Sequence, residues 1–196
     1  MESYYRTQLE SWLSAIDVDC GRVLDIGGGL NPVRGRTKSW RVGEYKILDN
    51  GLEGDFSPDF KLDLNTEGLP DLPLTEKIKR FSPQIIFCLE LMEYIIDPLS
   101  VIRFIHSIME DGGIAYISFP SIYPVHEPSE YDFLRYTRRG VSRLLEMSGF
   151  SGWKIESRIA TKGKENLRSF YSSEKMKGLK NSDIIFDIGY LVMAHK

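Results

Sequence analysis

The stretch VLDIGGGLNP, residues 23–32, decides how this chain is read. Branched apolar residues run into Asp25, and Gly27, Gly28 and Gly29 follow. Each glycine costs backbone entropy, so three in succession need a reason. One would suffice for a sharp turn. Three, with an acid two positions upstream, indicate a place where a ligand presses against the backbone. A strand that ends there would put the glycines on the carboxyl edge of a sheet, where open α/β folds bind ligands, and the N–H groups opening a following helix would face that ligand.

The strands implied around this turn are Arg22–Ile26, EYKILD (44–49), DFKLDL (59–64), QIIFCL (84–89) and GIAYISFP (113–120). QIIFCL is apolar throughout, as a strand covered on both faces should be. Tyr5, Leu9, Trp12, Leu13 and Ile16 recur at helical spacing, which predicts a helix over 4–16 within an N-terminal segment 1–20. Leu99, Ile102, Ile105 and Met109 predict a second helix, stopped at Asp111-Gly112-Gly113. Thr137 is a candidate cap for a third, with Val141, Leu144 and Leu145 inward and an end near Gly149. WKIESRI (153–159) alternates as a half-buried strand does, and 184–194 closes the chain as one or two strands. Strands alternating with helices predict a parallel sheet. No Pro/Gly/Ser-rich linker divides residues 1–196, so they read as one domain.

Composition narrows the function classes. Hydrophobic residues make up 42% and charged residues 27%, with a net charge of −3. That is an ordinary soluble globular chain, with no global pull towards nucleic acid or anionic membrane. Cys20 and Cys88 are too few for an iron–sulfur cluster or a four-cysteine zinc site, and they suit a reducing compartment. No metal-ligand spacing appears, so no metal is expected. The start, MESYYRTQLESWL, lacks the basic-then-apolar pattern of a secretory leader, and no apolar run has membrane-spanning length. A cytoplasmic location is the expectation.

The nicotinamide fingerprint needs G-x-G-x-x-G/A, and Pro32 stands at its third position; the P-loop Gly-Lys-Ser/Thr is absent. Asp25-x-Gly27-x-Gly29 instead resembles the first motif of class I S-adenosylmethionine-dependent methyltransferases, in particular type 11-like members. The likeness runs in order through KILDN, KLDLN, CLELMEYIIDP (88–98), SIMEDGGIAYISFPS (107–121) and EYDFLRYTRRGVSRLLEMSGF (130–150). It implies a Rossmann-like, seven-stranded, mainly parallel sheet with helices on both faces and an antiparallel last strand. It also implies S-adenosylmethionine as cofactor. Asp25, Gly27, Gly28 and Gly29 would form the cofactor turn, Asp49 would hold the ribose hydroxyls, and Asp63 with Leu64 would meet the adenine. Cys88 and Leu89 would sit beside the cofactor. Tyr94 stands where histidine is frequent in the family, and Asn50 where an apolar residue is usual.

The acceptor side is expected in 121–136 and 161–183. His126 is the candidate general base, since imidazole titrates near neutrality; the alternative is an exposed loop histidine or a structural hydrogen bond. Tyr123, Tyr131 and Arg135 are candidate pocket residues, although Arg135 could equally pair with Asp132 or Glu130. Tyr94 either faces the methyl group or packs in the core. Two basic stretches, RGRTKSWR (34–41) and residues 162–180, would favour an anionic acceptor if they converged on the site; the alternative is scattered solvated charge. The expected reaction is methyl transfer to a small-molecule or sugar acceptor, at oxygen. Nothing in the sequence removes nucleic acid as acceptor. The alternative from another class is a non-catalytic, methyltransferase-like binding or scaffold module.

Overall fold

The structure, a computed structural model, describes residues 4–51, 56–122, 124–159 and 187–196. The glycine turn follows β1 (Asp17–Ile26), whose last four residues are all buried. Parallel neighbours flank it: β2 (Ser39–Asp49) on one side and β4 (Ile85–Cys88) on the other. Beyond β2 lies β3 (Phe60–Lys61), and beyond β4 lies β5 (Ile114–Pro120), both parallel. The last strand, β7 (Asp187–His195), runs antiparallel between β5 and β6 (Gly152–Ile159). The sheet has seven strands in the order β3-β2-β1-β4-β5-β7-β6. Its parallel strands therefore end on one edge, which carries the turns after β1, β2, β3, β4 and β5.

Strand alternation sends side chains into two cores. Leu24, Ile26, Ile86, Cys88, Ile117 and Val192 meet α2 (Pro73–Phe81), α3 (Pro98–Ile108) and α4 (Arg138–Met147). Val23, Ile85, Phe87, Tyr116 and Leu191 meet Leu9 and Leu13 of α1 (Tyr4–Leu13) on the opposite face. Helices thus lie on both faces, but unequally: among the described residues three pack on one side and α1 on the other. None of the described helices is long and apolar enough to cross a membrane.

Several local expectations are corrected. No helix follows the glycines; residues 28–38 pass through bends and turns into β2. Pro32 and the positive φ of Gly35, 87°, suit that irregular path. The first helix ends at Leu13, and residues 17–20 already belong to β1. Both β1 and β2 start several residues early, paired in parallel from Asp17 and Ser39 onward, with exposed ion pairs Asp17–Lys38 and Asp19–Arg41 alongside. β3 shrinks to a pair because Asp63 closes a turn, accepting from Asn65 N at 2.9 Å. α3 starts at Pro98, where Asp97 caps Ser100 N, and stops at Ile108 because Met109 is extended; the Asp111–Gly113 turn follows it. Thr137 does cap its helix, through Gly140 N at 3.2 Å. α2 was not legible: it is short and charged, and its buried stripe is Thr75, Ile78 and Phe81.

Candidate active site

The carboxyl edge opens into a hollow of about 850 Å³, within the range of small-molecule sites. Its floor is the glycine turn. Gly27 has φ 76°, a conformation that suits glycine, and its N–H donates to Leu48 O at 2.8 Å, tying the turn to β2. A Cβ on Gly28 would lie 2.5 Å from the Asp25 carboxyl carbon, and one on Gly29 would lie 2.8 Å from Asp49 Oδ2. The second and third glycines are therefore demanded by two acids that close over the turn. The N–H of Gly29 donates to Asp49 Oδ2 at 3.2 Å, and that of Gly51 to Asp49 Oδ1 at 2.9 Å. The turn carries no side chains, and it is not the amino end of a helix.

Asp25 is buried under the turn. It accepts from Val33 N at 2.7 Å and from the Tyr45 hydroxyl at 2.6 Å, both through Oδ2. Burial pushes its carboxyl up to about 6, partly offset by those two donors. Between the unfolded value near 3.8 and about 6, the folded protein keeps a proton that the unfolded chain has released. The Asp25 contribution is thus full below about pH 4 and is lost as pH rises towards 6, by up to about 3 kcal/mol. Asp25→Asn is expected to remove that downward slope; thermal melts of both proteins between pH 4 and 7 check it.

Further around the wall lie Leu62, Asp63, Leu64 and Asn65 after β3, with Phe56. Asn65 donates to Tyr94 O at 2.9 Å and accepts from Ile96 N at 2.8 Å, so it staples this wall to the segment after β4. That segment contributes Leu89, Glu90, Leu91 and Tyr94 to the lining. Glu90 has φ 51°, strained for a side-chain-bearing residue. It is held by Ser118: Glu90 N donates to Ser118 Oγ at 2.7 Å, and that hydroxyl donates to Glu90 Oε1 at 2.8 Å. Fully buried Arg158 also donates to Oε1, at 2.7 Å.

The far wall comes from the segment after β5. His126, Pro128, Tyr131 and Phe133 line the hollow there. His126 Nδ1 lies 3.0 Å from Glu93 Oε1 and 2.9 Å from the Tyr94 hydroxyl, while its backbone N–H donates to Asp132 at 2.7 Å. The Glu93 hydrogen bond is the main reason the imidazole is held above its ordinary range, against partial burial.

The structure thus brings Asp25, the three glycines, Asp49, Asp63, Leu64, Leu89, Tyr94, His126 and Tyr131 around one space. It does not bring two other candidates there. Cys88 points into the core shared with α2–α4, and burial pushes its thiol up. Arg135 lies off the lining; its guanidinium pairs with Asp132 and donates to Pro124 O at 3.0 Å. Tyr123 and the segment 161–183 lie outside the described residues. Sequence reasoning missed Glu90, Glu93 and Asn65 as site residues; Glu90 and Glu93 stood inside the matched CLELMEYIIDP, where the strand pattern gave no sign of which way each acid turned.

No protein-family model matches the chain, and no curated protein matches it. Solved structures do. A methyltransferase dependent on S-adenosylmethionine from Archaeoglobus fulgidus superposes with a TM-score of 0.59 at 18% identity, over 98% of this chain and 92% of that one. One from Mesorhizobium loti gives 0.58 at 16%, over 99% and 98%. The YcgJ protein of Bacillus subtilis gives 0.54 at 12%, over 98% of each chain. At such identities the likeness is one of architecture: the chain has the class I fold of S-adenosylmethionine-dependent methyltransferases.

Proposed function

We propose that this chain is an S-adenosylmethionine-dependent methyltransferase acting on a small-molecule or sugar acceptor, at oxygen. The observation that carries this is the direct hydrogen bond between the side-chain-free turn and Asp49 at the floor of one hollow. The residues fit the cofactor. Gly27–Gly29 would let its amino-acid portion lie against the backbone. Asp49, an acceptor with lone pairs left after Gly29 and Gly51, would take the ribose hydroxyls. Leu64 and Leu89 would pack on the adenine, with Asp63 at its amino group. Glu90, facing the same space, would suit the cofactor's ammonium.

When bound, the cofactor supplies an electrophilic methyl group on a sulfonium whose leaving form is a neutral thioether. The chain need only align the acceptor, exclude water and remove a proton. Tyr131 and Phe133 offer ring faces for an aromatic ring or a sugar, and His126 would take the hydroxyl proton. Two large apolar side chains stand exposed among the lining residues, Leu30 at 62% and Ile96 at 63%. Of the 34–41 charges, Arg36 lines the hollow but is engaged by Glu10, while Lys38 meets Asp17 and Arg41 meets Asp19. That supports a neutral acceptor. The free thiols Cys20 and Cys88 suit a cytoplasmic setting.

Incubation with methyl-labelled S-adenosylmethionine and a panel of phenols, sugars and RNA tests the reading. Label is expected on a neutral hydroxyl, with a rate that changes less than about twofold between 0.05 and 0.5 M salt. Steep loss with salt, or label on RNA, would favour an anionic acceptor. Failure to bind either the cofactor or its demethylated product would leave the scaffold reading.

A further inference from the structure

Glu93 is the most conspicuous polar side chain near the site that the cofactor roles leave unused. It is 3% exposed, in the 3-10 turn Met92–Tyr94 after β4. Its Oε1 meets His126, and its Oε2 has no hydrogen-bond partner among the described residues. Burying a carboxylate with one oxygen unsatisfied is costly, so a fold that keeps it must gain something from the other oxygen.

The hydrogen bonds around the ring decide where its proton sits. The Tyr94 hydroxyl donates to Glu127 O at 2.7 Å. Its single proton is thereby committed, so towards Nδ1 at 2.9 Å it is an acceptor. Glu93 Oε1, at 3.0 Å, is an acceptor as well. Two acceptors facing Nδ1 place the hydrogen on Nδ1, and the lone pair of the neutral ring falls on Nε2. We propose that Glu93 is the positioning residue for His126: it fixes the Nδ1–H form and readies Nε2 to accept the acceptor's hydroxyl proton.

This rests on the methyl-transfer reading above. In the step, the acceptor oxygen bonds to the methyl carbon as the carbon–sulfur electron pair stays with sulfur. The hydroxyl proton passes to Nε2, and the resulting imidazolium lies against the Glu93 carboxylate. The charged and titratable groups around the pair are Glu90 and Tyr94 from the segment after β4, and Glu127, Asp132 and Arg135 from the segment after β5. Asp132 is committed to Arg135 and to the His126 backbone, which leaves Glu93 as the carboxylate on the ring nitrogen. The imidazole also stacks beside the Tyr94 ring, with centroids 5.7 Å apart.

The test is long-range proton–nitrogen NMR of the intact protein, with and without demethylated cofactor, and with His126→Asn to assign the signal. The wild type is expected to show the Nδ1–H form above the titration midpoint, whereas free histidine favours Nε2–H. Glu93→Gln is expected to keep that form, because the amide oxygen still accepts, but to lower the midpoint, and to leave cofactor affinity within about twofold. Turnover, once an acceptor is in hand, is expected to fall about ten- to a hundredfold, mainly in kcat. An Nε2–H ring in the wild type, or the same midpoint in both proteins, would overturn the proposal. The wild-type spectrum decides the form even if Glu93→Gln fails to fold. Absence of cofactor binding in the wild type would sink the methyl-transfer reading instead, a result separate from either.

Discussion

Arg158→Ala is expected to lower stability by about 3–5 kcal/mol, the cost of breaking a buried ion pair by removing one partner. Urea denaturation of the two proteins measures it. Arg158 lies on β6 with no exposed side-chain surface. It donates to Glu90 Oε1 at 2.7 Å and to Tyr5 O at 2.6 Å, and its guanidinium lies over the Tyr5 ring. One side chain thus joins α1, β6 and the strained residue after β4. Truncation leaves a cavity and a half-buried carboxylate at the wall of the hollow whose Oε1 keeps, among the described residues, only the Ser118 hydroxyl as donor. Arg158→Lys is not expected to rescue it, because an ammonium lacks the planar fork that reaches both acceptors. Glu90 at φ 51° depends on this anchor and on Ser118, so cofactor affinity should fall along with stability. A loss below 1 kcal/mol would mean that the pair is not as enclosed as described.

Asp49→Ala is expected to weaken binding of the demethylated cofactor a few hundredfold. Two hydroxyls donating to one carboxylate that is partly open to solvent are worth about 3–4 kcal/mol, taking each bond near the lower end of the about 1.5–3 kcal/mol for a charged group, and each 1.4 kcal/mol is tenfold. The substitution also takes the acceptor from Gly29 N and Gly51 N, so the turn itself should loosen. Asp49→Asn keeps an oxygen for one of those two amides and sets its NH2 against the other, so it is expected to lose less than Asp49→Ala but not to restore the turn fully. Calorimetric titration of the three proteins separates the ribose contact from support of the turn.

The turn and the acids were legible because their signals are local. Three glycines after buried Val23–Ile26 state that side chains are not tolerated, and Gly28 and Gly29 are indeed crowded by Asp25 and Asp49. The order of strands followed from alternating patterns and from the resemblance. What the chain does after Pro32 was not legible, since a helix and a run of bends differ there by tertiary pairing: Arg36 against Glu10, and Lys38 and Arg41 against acids on β1. The same pairing engages Arg36, Lys38 and Arg41 of the apparent basic patch one by one with acids of α1 and β1. Arg135 was undecided in sequence because Asp132 lies three residues away, close enough to claim it. The contact of Glu93 with His126 spans 33 positions, and no periodicity encodes such a meeting.

The claim on which the rest depends is that Gly27–Gly29 and Asp49 form two sides of one cofactor seat. Isothermal titration of the wild-type chain with S-adenosylhomocysteine tests it most directly, with Asp49→Ala in parallel. One-to-one binding that is lost or strongly weakened in the variant is the result expected. No heat of binding in a folded wild-type protein, or equal affinity in both, would contradict it.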